Sequence, residues 1–279
     1  MTTPDYVARP ELTVITVVFN GRAFAAETIE SVLAQESVSF EYWVIDGGST
    51  DGTIDLVRTF ESRLTGWISE PDGGIADAFN KGLARARGEY IMFLNADDAL
   101  AHPRALAQLL SFARDHGYPD VIYGDCDLYD QAGAQFLYRA VITYDRERFL
   151  NLETLPHPGL LMHRRYFERH GNFDTSYKVA MDYELFLRGV PTSGALRAPM
   201  LITRVRAGGI STRNRALVVE ETIRALKTHG YMSRLGEARM RVIYALRGAA
   251  RNALELIGLY RAFDAVRRRC RRCSSRGHA

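Results

Sequence analysis

Residues 88–98 read GEYIMFLNADD, and this stretch decides the fold. Five apolar residues without a break, Tyr90–Leu94, are typical of a β-strand that is buried on both faces. Gly88 ends the helical pattern before this strand, and Asn95–Asp98 place carboxylates directly after it. We therefore predict a central strand whose carboxyl end carries polar chemistry.

Two earlier segments repeat this arrangement. Leu12–Phe19 (LTVITVVF) and Tyr42–Ile45 predict buried strands, and polar residues follow them at Asn20 and Asp46. Apolar residues at helical spacing separate the strands, which predicts an α/β fold with a mostly parallel sheet and helices on both faces. The helices are predicted at Phe24–Leu33, Thr53–Phe60 and Ile75–Arg87, and a short strand at Leu64–Ile68.

The second half of the chain is less regular. We predict a helix over Pro103–Asp115, a strand over Val121–Tyr123, a helix over Asp182–Arg188, and mostly helix from about residue 214 to about residue 272. Because no repeat or low-complexity linker interrupts the chain, the two α/β halves are expected to share one sheet.

The composition bounds the class of protein. Of 279 residues, 47% are hydrophobic and 25% charged, which is typical of a soluble globular chain. The sequence has no run of about 20 apolar residues that could span a membrane, and residues 1–5 lack the basic start of a signal peptide. Three cysteines, Cys126, Cys270 and Cys273, fit a reducing compartment. We expect the protein on the cytoplasmic side of the membrane.

Charge is distributed unevenly along the chain. Residues 234–279 hold 12 arginines and 3 acidic residues, a local charge of +9, so residues 1–233 carry −6 of the total of +3. An acidic body argues against nucleic acid as a partner. The tail interleaves arginine with apolar residues, which predicts an amphipathic helix on an anionic membrane surface, with packing on the body or a partner interface as the alternatives. Cys270 and Cys273 lack the second cysteine pair of a usual metal site.

Carboxylates follow two of the predicted strands. Asp97 and Asp98 repel each other, and Mg²⁺ or Mn²⁺ would relieve that repulsion and bridge to a phosphate; alternatively, Asp98 caps the following turn. Asp46 opens a glycine-rich run, where it is suited to accept hydrogen bonds from a nucleobase or ribose; a tight loop with Asp51 as a helix cap is compatible with this. Ligands bind at the carboxyl ends of such strands, although both familiar glycine-rich nucleotide motifs are absent.

Four segments together resemble a known family. TVVFNG (16–21), VIDGGSTDGT (44–53), SEPDGGIADAFNKGLARARGEYIMFLNADD (69–98) and AMDYELFLR (180–188) look like successive motifs of the inverting family 2 glycosyltransferases, including bacterial polysaccharide enzymes of the colanic-acid type. The resemblance spans about residues 12–212. It implies the GT-A fold, a nucleoside-diphosphate sugar donor and Mg²⁺ or Mn²⁺.

The resemblance also implies an organisation into domains. A GT-A domain is expected over residues 10–212, with a nucleotide-sugar-binding half (10–100) and an acceptor and catalytic half (101–212). A helical, arginine-rich extension is expected over residues 213–279.

Residue roles on the donor side follow from the same resemblance. Asp98 is expected to bind the metal and Asp97 the donor ribose, or the two roles are exchanged. Position 95, where the family more commonly has an acidic residue, is Asn. Phe19 and Asp46 match positions near the nucleobase. Asp72 and Asp77 lie in a segment expected to border the donor pocket. Asn80 and Lys81 belong to the same motif, and Lys81 is expected to reach a phosphate; an ordinary helix with exposed polar residues is the alternative.

On the acceptor side, Asp182 matches the catalytic base, which deprotonates the attacking hydroxyl. The alternatives are that Asp182 is a helix N-cap, or that Glu184 is the base. The resemblance suggests that His157, fixed between Pro156 and Pro158, contacts the acceptor or the diphosphate. Ser211 lies in a segment similar to a loop that closes the site, and Ser211 and Arg206 are expected near phosphate.

These expectations define one function and two rivals. We expect sugar transfer to a hydroxyl of a glycan or lipid-linked acceptor in bacterial surface polysaccharide synthesis. A sugar nucleotidyltransferase would instead release pyrophosphate, and it usually carries a glycine-rich basic loop that the segment NGRAFAAE (20–27) lacks. A non-catalytic scaffold protein with the same fold is the other rival, and the presence of Asp97, Asp98 and Asp182 together argues against it.

Overall fold

The computed structural model describes residues 9–256. The strands of that range are β1 (Leu12–Val18), β2 (Phe40–Asp46), β3 (Gly66–Ser69), β4 (Tyr90–Asn95), β5 (Asp98–Leu100), β6 (Val121–Tyr129), β7 (Phe136–Ala140), β8 (Leu160–His163) and β9 (Leu196–Arg206). They form one mixed sheet in the order β3-β2-β1-β4-β8-β6-β9-β5, with β7 paired to β6.

Helices connect and cover the strands. Those within the described range are α1 (Ala25–Leu33), α2 (Thr53–Arg58), α3 (Ile75–Leu83), α4 (Ala105–Asp115), α5 (Arg146–Leu150), α6 (Arg164–His170), α7 (Met181–Leu187), α8 (Val190–Ser193), α9 (Ile210–Arg213), α10 (Arg215–Thr228) and α11 (Arg234–Leu256), with a 3₁₀ turn at Glu61–Arg63.

The sheet is parallel where the sequence predicted β-α-β units. β3, β2, β1 and β4 pair in parallel, and so do β6 and β9. β8 runs antiparallel between β4 and β6, and β5 runs antiparallel beside β9. A single sheet of this kind, flanked by helices and shared by both halves of the chain, confirms the predicted α/β GT-A fold.

The two faces of β1 contact different helices. Val14 belongs to a buried cluster that includes Ile29 of α1 and Leu109 of α4. The neighbouring residue Ile15 points to the other face, where Gly82 of α3 lies so close that a Cβ on it would stand 2.5 Å from Ile15 Cγ2. Because strand side chains alternate between faces, this two-sided burial explains the unbroken apolar runs in the sequence.

The ends of two elements differ from the prediction by four residues or more. Helix α3 ends at Leu83 rather than Arg87, because Arg87 donates its main-chain N–H to the buried carboxylate of Glu41 (2.8 Å) and the chain turns toward β2. Strand β6 continues to Tyr129 rather than stopping at Tyr123. Its acidic residues Asp125 and Asp127 hide the strand pattern in the sequence, and in the fold each is paired with an arginine of a neighbouring strand.

The chain divides into two compact units between Glu221 and Thr222. This division falls within α10, and the predicted domain limits of 10–212 and 213–279 stay a prediction. None of the helices described within residues 9–256 has the length and apolar character needed to cross a membrane. Residues 257–279 of the predicted basic tail, which include Cys270 and Cys273, lie outside the described residues.

Candidate active site

The carboxyl ends of β1, β2 and β4 meet at one edge of the sheet. The register aligns Val18 of β1 with Asp46 of β2, and Val17 with Asn95 of β4. The polar residues that follow these strands are therefore brought together, although they are far apart in sequence. This edge holds the residues that the sequence predicted for a nucleotide donor.

Asp46 is the most buried carboxylate at this edge, with 1% of its surface exposed. Its Oδ2 accepts hydrogen bonds from the main-chain N–H groups of Gly48 and Ser49 (both 2.9 Å) and from Ser69 Oγ (2.8 Å). Its Oδ1 is buried without a hydrogen-bond partner among the described residues. Because a buried polar atom without a partner is costly, Oδ1 is an acceptor suited to a ligand N–H or hydroxyl.

The loops beside Asp46 are held by bonds between the strand ends. Asn20, at positive φ (48°), donates its main-chain N–H to Ser49 Oγ (2.7 Å) and accepts from the N–H of Thr50 through Oδ1 (2.9 Å). Asp51 accepts from the main-chain N–H groups of Thr53 (3.0 Å) and Arg22 (3.1 Å). The N-cap residue of α2 is Gly52, so the predicted helix cap at Asp51 is wrong, although Asp51 still binds the Thr53 N–H in the first turn of α2.

Phe19 stands exposed at this same edge, with 65% of its surface accessible. Gly47 separates it from Asp72, since a Cβ on Gly47 would collide with the Asp72 carboxylate and lie 3.4 Å from the Phe19 ring. An exposed aromatic ring beside a buried acceptor is suited to a planar base, which stacks on the ring and hydrogen-bonds to the carboxylate.

Asp72, Asp77 and Lys81 shape the next loop. Asp72 Oδ1 accepts from the N–H of Gly74 (2.8 Å), and Asp77 Oδ2 accepts from the N–H of Gly73 (3.0 Å). The Lys81 ammonium donates to the Pro71 carbonyl (2.8 Å) and pairs with Glu70 (3.0 Å). Burial lowers the pKa of Lys81, but the Glu70 hydrogen bond and the nearby acidic charges outweigh it and raise this pKa. Lys81 is thus engaged by its own loop.

Asp97 and Asp98 differ in their surroundings. Asp98 is 3% exposed and receives hydrogen bonds from Asn95 Nδ2 (3.3 Å) and from the main chain of Arg206. Burial and then the Asp97 charge raise the pKa of Asp98 well above its usual range. Asp97 is half-buried, and burial raises its pKa too, although Arg206 and Arg213 oppose this. Two desolvated carboxylates whose ionised forms are disfavoured form a donor set that a hard divalent cation would stabilise.

Arg206 and Ser211 lie at the end of β9 and just beyond it. The Arg206 guanidinium pairs with Glu27, donates to the Ala132 carbonyl (2.7 Å) and lies 5.2 Å from the ring centre of Phe24. Ser211 is exposed in α9. The Arg206 charge lowers the pKa of Asp97, so Arg206 lies near the carboxylate pair, where it is paired with Glu27; its expected contact with phosphate stays a prediction.

Asp182 and His157 lie within electrostatic reach of each other. Asp182 is the second residue of α7, is half-buried, and accepts a hydrogen bond from the N–H of Tyr183 (2.7 Å). Burial raises the pKa of Asp182, although the His157 ring opposes the rise. Burial lowers the pKa of His157, with the Asp182 charge opposing it. The imidazole also stacks on Phe79, with ring centres 5.3 Å apart.

The structure argues against the two alternatives to Asp182 as the base. The N-cap residue of α7 is Ala180, so Asp182 is not the N-cap of this helix. Glu184, the other candidate base, is buried and forms a two-pronged ion pair with Arg188 four residues later. A carboxylate held this way is poorly placed to receive a proton from a substrate.

The contacts of three residues, Glu221, Lys178 and Asn80, were not predicted from the sequence. Glu221 of α10 accepts from three main-chain N–H groups immediately before α7. Lys178 Nζ donates to the Gly73 carbonyl (2.9 Å), which joins the α7 segment to the donor-side loop. Asn80 exchanges two hydrogen bonds with the main chain of Phe173 (2.9 and 3.0 Å). These partners lie 41 to 105 residues apart, and no local pattern announces them.

Comparison with known proteins adds sequence and structural relatives. The family model described as glycosyl transferase family 2 matches residues 13–171. A PGL/p-HBAD biosynthesis glycosyltransferase of Mycobacterium bovis is 28% identical over 201 residues, which cover 71% of this chain and 74% of the relative. A glycosyltransferase of Mycobacterium tuberculosis is 31% identical over 181 residues, 64% of this chain and 68% of the relative.

Two solved structures share the fold. S. aureus TarS 1-349 in complex with UDP-GlcNAc aligns with a TM-score of 0.63 at 18% identity, covering 82% of this chain and 69% of that chain. The mannosyltransferase PcManGT from Pyrobaculum calidifontis, in complex with GDP-Man and Mn²⁺, aligns with a TM-score of 0.61 at 20% identity, covering 95% and 82%. At this identity the likeness concerns the fold.

Proposed function

The chain belongs to glycosyl transferase family 2, and from that premise we propose that this glycosyltransferase moves a sugar from a nucleoside-diphosphate sugar to an acceptor hydroxyl with inversion. One observation carries the proposal. Asp46 with its unpartnered oxygen and the Asp97–Asp98 pair stand at the carboxyl edge of one sheet, and Lys178, four residues before Asp182, is bonded to a loop of that edge. A donor bound there would have a base-binding group, a diphosphate-binding group and a proton acceptor in one site.

The nucleotide end of the donor is assigned to Phe19 and Asp46. We propose that the base stacks on the exposed Phe19 ring and donates an N–H to Asp46 Oδ1. Uracil, thymine and guanine all offer such an N–H. Asp72 and Asp77 border this pocket through their hold on the loop at Gly73 and Gly74.

The diphosphate end is assigned to Asp97 and Asp98 with Mg²⁺ or Mn²⁺. The cation, when bound, stabilises the negative charge that develops on the leaving diphosphate. Asp97 is half-buried, whereas Asp98 is 3% exposed and accepts a hydrogen bond from Asn95. The burial difference favours the exchanged roles, with Asp97 as the metal ligand and Asp98 as the ribose contact. Arg206, Ser211 and Lys81 are proposed to add positive or polar contacts near phosphate.

Asp182 is proposed as the catalytic base. The acceptor oxygen attacks the anomeric carbon from the face opposite the diphosphate, the bond to the diphosphate oxygen breaks, and the hydroxyl proton passes to the Asp182 carboxylate. Burial raises the pKa of Asp182, which makes the carboxylate a stronger base than an exposed aspartate. We propose that His157, packed on Phe79 beside it, contacts the acceptor or the diphosphate.

The acceptor is proposed to be a lipid-linked glycan of bacterial surface polysaccharide synthesis, at the inner face of the plasma membrane. A relative named for PGL/p-HBAD biosynthesis supports a biosynthetic role for the proposed transfer. The described part of α11 supports membrane contact independently. Leu235, Val242 and Leu246 are 81%, 58% and 65% exposed, and at 3.6 residues per turn they fall within about 40° of one another.

Exposed arginines lie to either side of this apolar stripe of Leu235, Val242 and Leu246. By the same helical spacing, Arg239 lies about 20° beyond Leu246, and Arg234 and Arg241 lie about 80–100° beyond Val242 on the other side. An exposed apolar stripe with arginines on the adjoining surface is typical of a helix that lies in the plane of an anionic membrane surface. Each arginine near such a surface contributes about 1 kcal/mol at low salt.

The test is turnover with a panel of sugar nucleotides. Purified protein with Mn²⁺ and UDP-glucose, UDP-GlcNAc, UDP-galactose or GDP-mannose, together with a membrane lipid extract, is expected to release the nucleoside diphosphate from one of them. NMR of the glycan product is expected to show an inverted anomeric configuration. Release of pyrophosphate from a sugar phosphate and a nucleoside triphosphate would instead identify a nucleotidyltransferase, and nucleotide binding without turnover of any donor would identify a scaffold protein.

A further inference from the structure

We propose that Glu221 is a positioning residue that holds the catalytic helix α7 in register with the donor loop. The proposal rests on the proposed role of Asp182 as base. It concerns a residue 50 positions beyond the end of the family match at 171, in a helix to which the sequence assigned no part in the site.

The contact is a carboxylate set among main-chain donors. Glu221 is 6% exposed, and its Oε1 accepts from the N–H of Lys178 (2.8 Å) while its Oε2 accepts from Val179 (2.9 Å) and Ala180 (3.0 Å). Three consecutive N–H groups converging on one carboxylate define the conformation of that segment, because hydrogen bonds to an ionised acceptor are short and strong. Within residues 9–256, Glu221 is thus the shared acceptor of all three N–H groups.

The segment that Glu221 holds leads directly to the base. Ala180 is the N-cap of α7, its carbonyl accepts the N–H of Glu184 (3.0 Å), and Asp182 is the second residue of the helix. A shift of residues 178–180 therefore moves Asp182 with it. Of the three N–H groups, only that of Ala180 belongs to the start of α7, and those of Lys178 and Val179 precede the helix, so Glu221 fixes the chain that leads into α7.

The same segment is tied to the donor side. The side chain of Lys178 donates to the carbonyl of Gly73, in the loop that Asp72 and Asp77 also hold. Lys178 is thus fixed at its main chain by Glu221 and at its ammonium by the donor loop. Glu221 accordingly sets the position of Asp182 relative to the donor, which is the distance that an in-line attack depends on.

The test compares Glu221→Gln with Glu220→Gln in the full-length chain. Glutamine matches the size of glutamate but replaces one acceptor oxygen with an NH₂ group, so at least one of the three N–H groups loses its acceptor. Glu220 is the neighbouring, exposed glutamate and controls for the loss of one negative charge on α10. Hydrogen exchange by mass spectrometry reports on residues 178–187 without any need for turnover, and steady-state kinetics use the donor that the wild type accepts.

We expect Glu221→Gln to speed amide exchange across residues 178–187, to leave exchange across β2 unchanged, and to lower kcat about 10-fold to 100-fold with little change in donor KM. Glu220→Gln is expected to match the wild type in all three. Faster exchange with unchanged kcat would show a purely structural contact and overturn the proposal, as would unchanged exchange. If the wild type turned over no donor, the proposed function would fail instead, and that result appears before any variant is compared.

Discussion

Asp182 carries two opposing consequences of its half-buried position. As the proposed base it needs an ionised carboxylate, yet burial raises its pKa and makes ionisation costly in the folded state. The raised pKa means that the folded state binds this proton more tightly than the unfolded state. Protonation of Asp182 therefore stabilises the folded state fully below the ordinary pKa of 3.8, and this stabilisation is lost as pH rises through the pKa of Asp182 in the folded state.

Asp182→Asn is expected to abolish transfer while stabilising the fold. Asparagine keeps Oδ1 as acceptor for the Tyr183 N–H but cannot take the acceptor proton, so kcat should fall about 10²-fold to 10⁴-fold. At pH 7 the free energy of unfolding of the variant should be about 0.5–2 kcal/mol higher than that of the wild type, and this difference should become smaller as pH falls toward 3.8. Kinetics and urea unfolding at several pH values measure both. Transfer at the wild-type rate would contradict the base assignment.

Asp46 has a different balance, because it both supports its loop and presents a free oxygen. Asp46→Asn replaces one carboxylate oxygen with an NH₂ group. Either the main-chain N–H groups of the loop or the nucleobase of the bound sugar nucleotide then loses a hydrogen-bond acceptor. We expect nucleoside diphosphate affinity to fall at least about 10-fold, and stability to fall by about 1–3 kcal/mol if the loop bonds are lost. Calorimetric titration with UDP and GDP measures the affinity. Asp55→Asn, on an exposed part of α2, should leave it unchanged; equal affinity in Asp46→Asn would remove Asp46 from the base site.

At the scale of elements, the sequence predicted what local pattern encodes. Unbroken apolar runs predicted β1, β2 and β4, and the carboxylates after them predicted the functional edge, since parallel strands end together. The predicted end of α3 was wrong because Glu41, from β2, binds the Arg87 main chain. The hydrogen bonds of Glu41 and those of Glu221 to residues 178–180 leave no local signal in the sequence, because both join residues more than 40 positions apart.

Helix α3 shows how tightly an element must approach the sheet to place its loop. A Cβ at Gly82 would stand 2.5 Å from Ile15 Cγ2, a buried side chain with little freedom to move. Gly82→Ala should therefore destabilise the protein by about 1–3 kcal/mol despite the better helix propensity of alanine. Gly236→Ala in α11 is the matched control, because the nearest atoms there are the side chains of Ser233 (3.4 Å) and Met232 (3.5 Å).

Chemical unfolding separates the two glycine variants. The control should be neutral or stabilising by up to about 1 kcal/mol, because alanine restricts the unfolded chain more than glycine does. Equal stability of Gly82→Ala and Gly236→Ala would show that β1 and α3 adjust to the extra methyl group. The contact between Gly82 and Ile15 would then not limit the position of the loop at Gly73, which Asp77 binds.

For the whole molecule, the distribution of charge matters as much as the active site. Residues 234–279 carry +9 and the remainder −6, so an anionic bilayer attracts one end of the chain and repels the other. A glycosyltransferase whose acceptor is anchored in lipid gains from such an orientation, because the acceptor then diffuses in the same plane as the enzyme. In the proposed membrane contact, the exposed stripe of Leu235, Val242 and Leu246 would add an apolar component to the attraction between charges.

Sedimentation with vesicles tests this surface contact. Full-length protein should bind phosphatidylcholine vesicles that contain phosphatidylglycerol, should bind pure phosphatidylcholine weakly, and should dissociate as salt is raised. Replacing Leu235, Val242 and Leu246 with serine together should weaken binding about 10-fold or more, since each apolar side chain contributes roughly 1.5–3 kcal/mol when fully buried and less at an interface. Leu217→Ser, an exposed leucine of α10, is the control and should bind as the wild type does.

The apolar and electrostatic parts of the contact respond differently to salt. If the triple serine variant binds as tightly as the wild type at every salt concentration, the stripe plays no part and arginine charge alone holds the protein. If neither protein binds anionic vesicles while donor turnover is normal, the membrane contact fails and the transferase reaction stands. Binding that is lost only in the variant, with donor turnover unchanged, would separate the two properties: the sheet edge carries the chemistry, and α11 brings the enzyme to the surface where its acceptor lies.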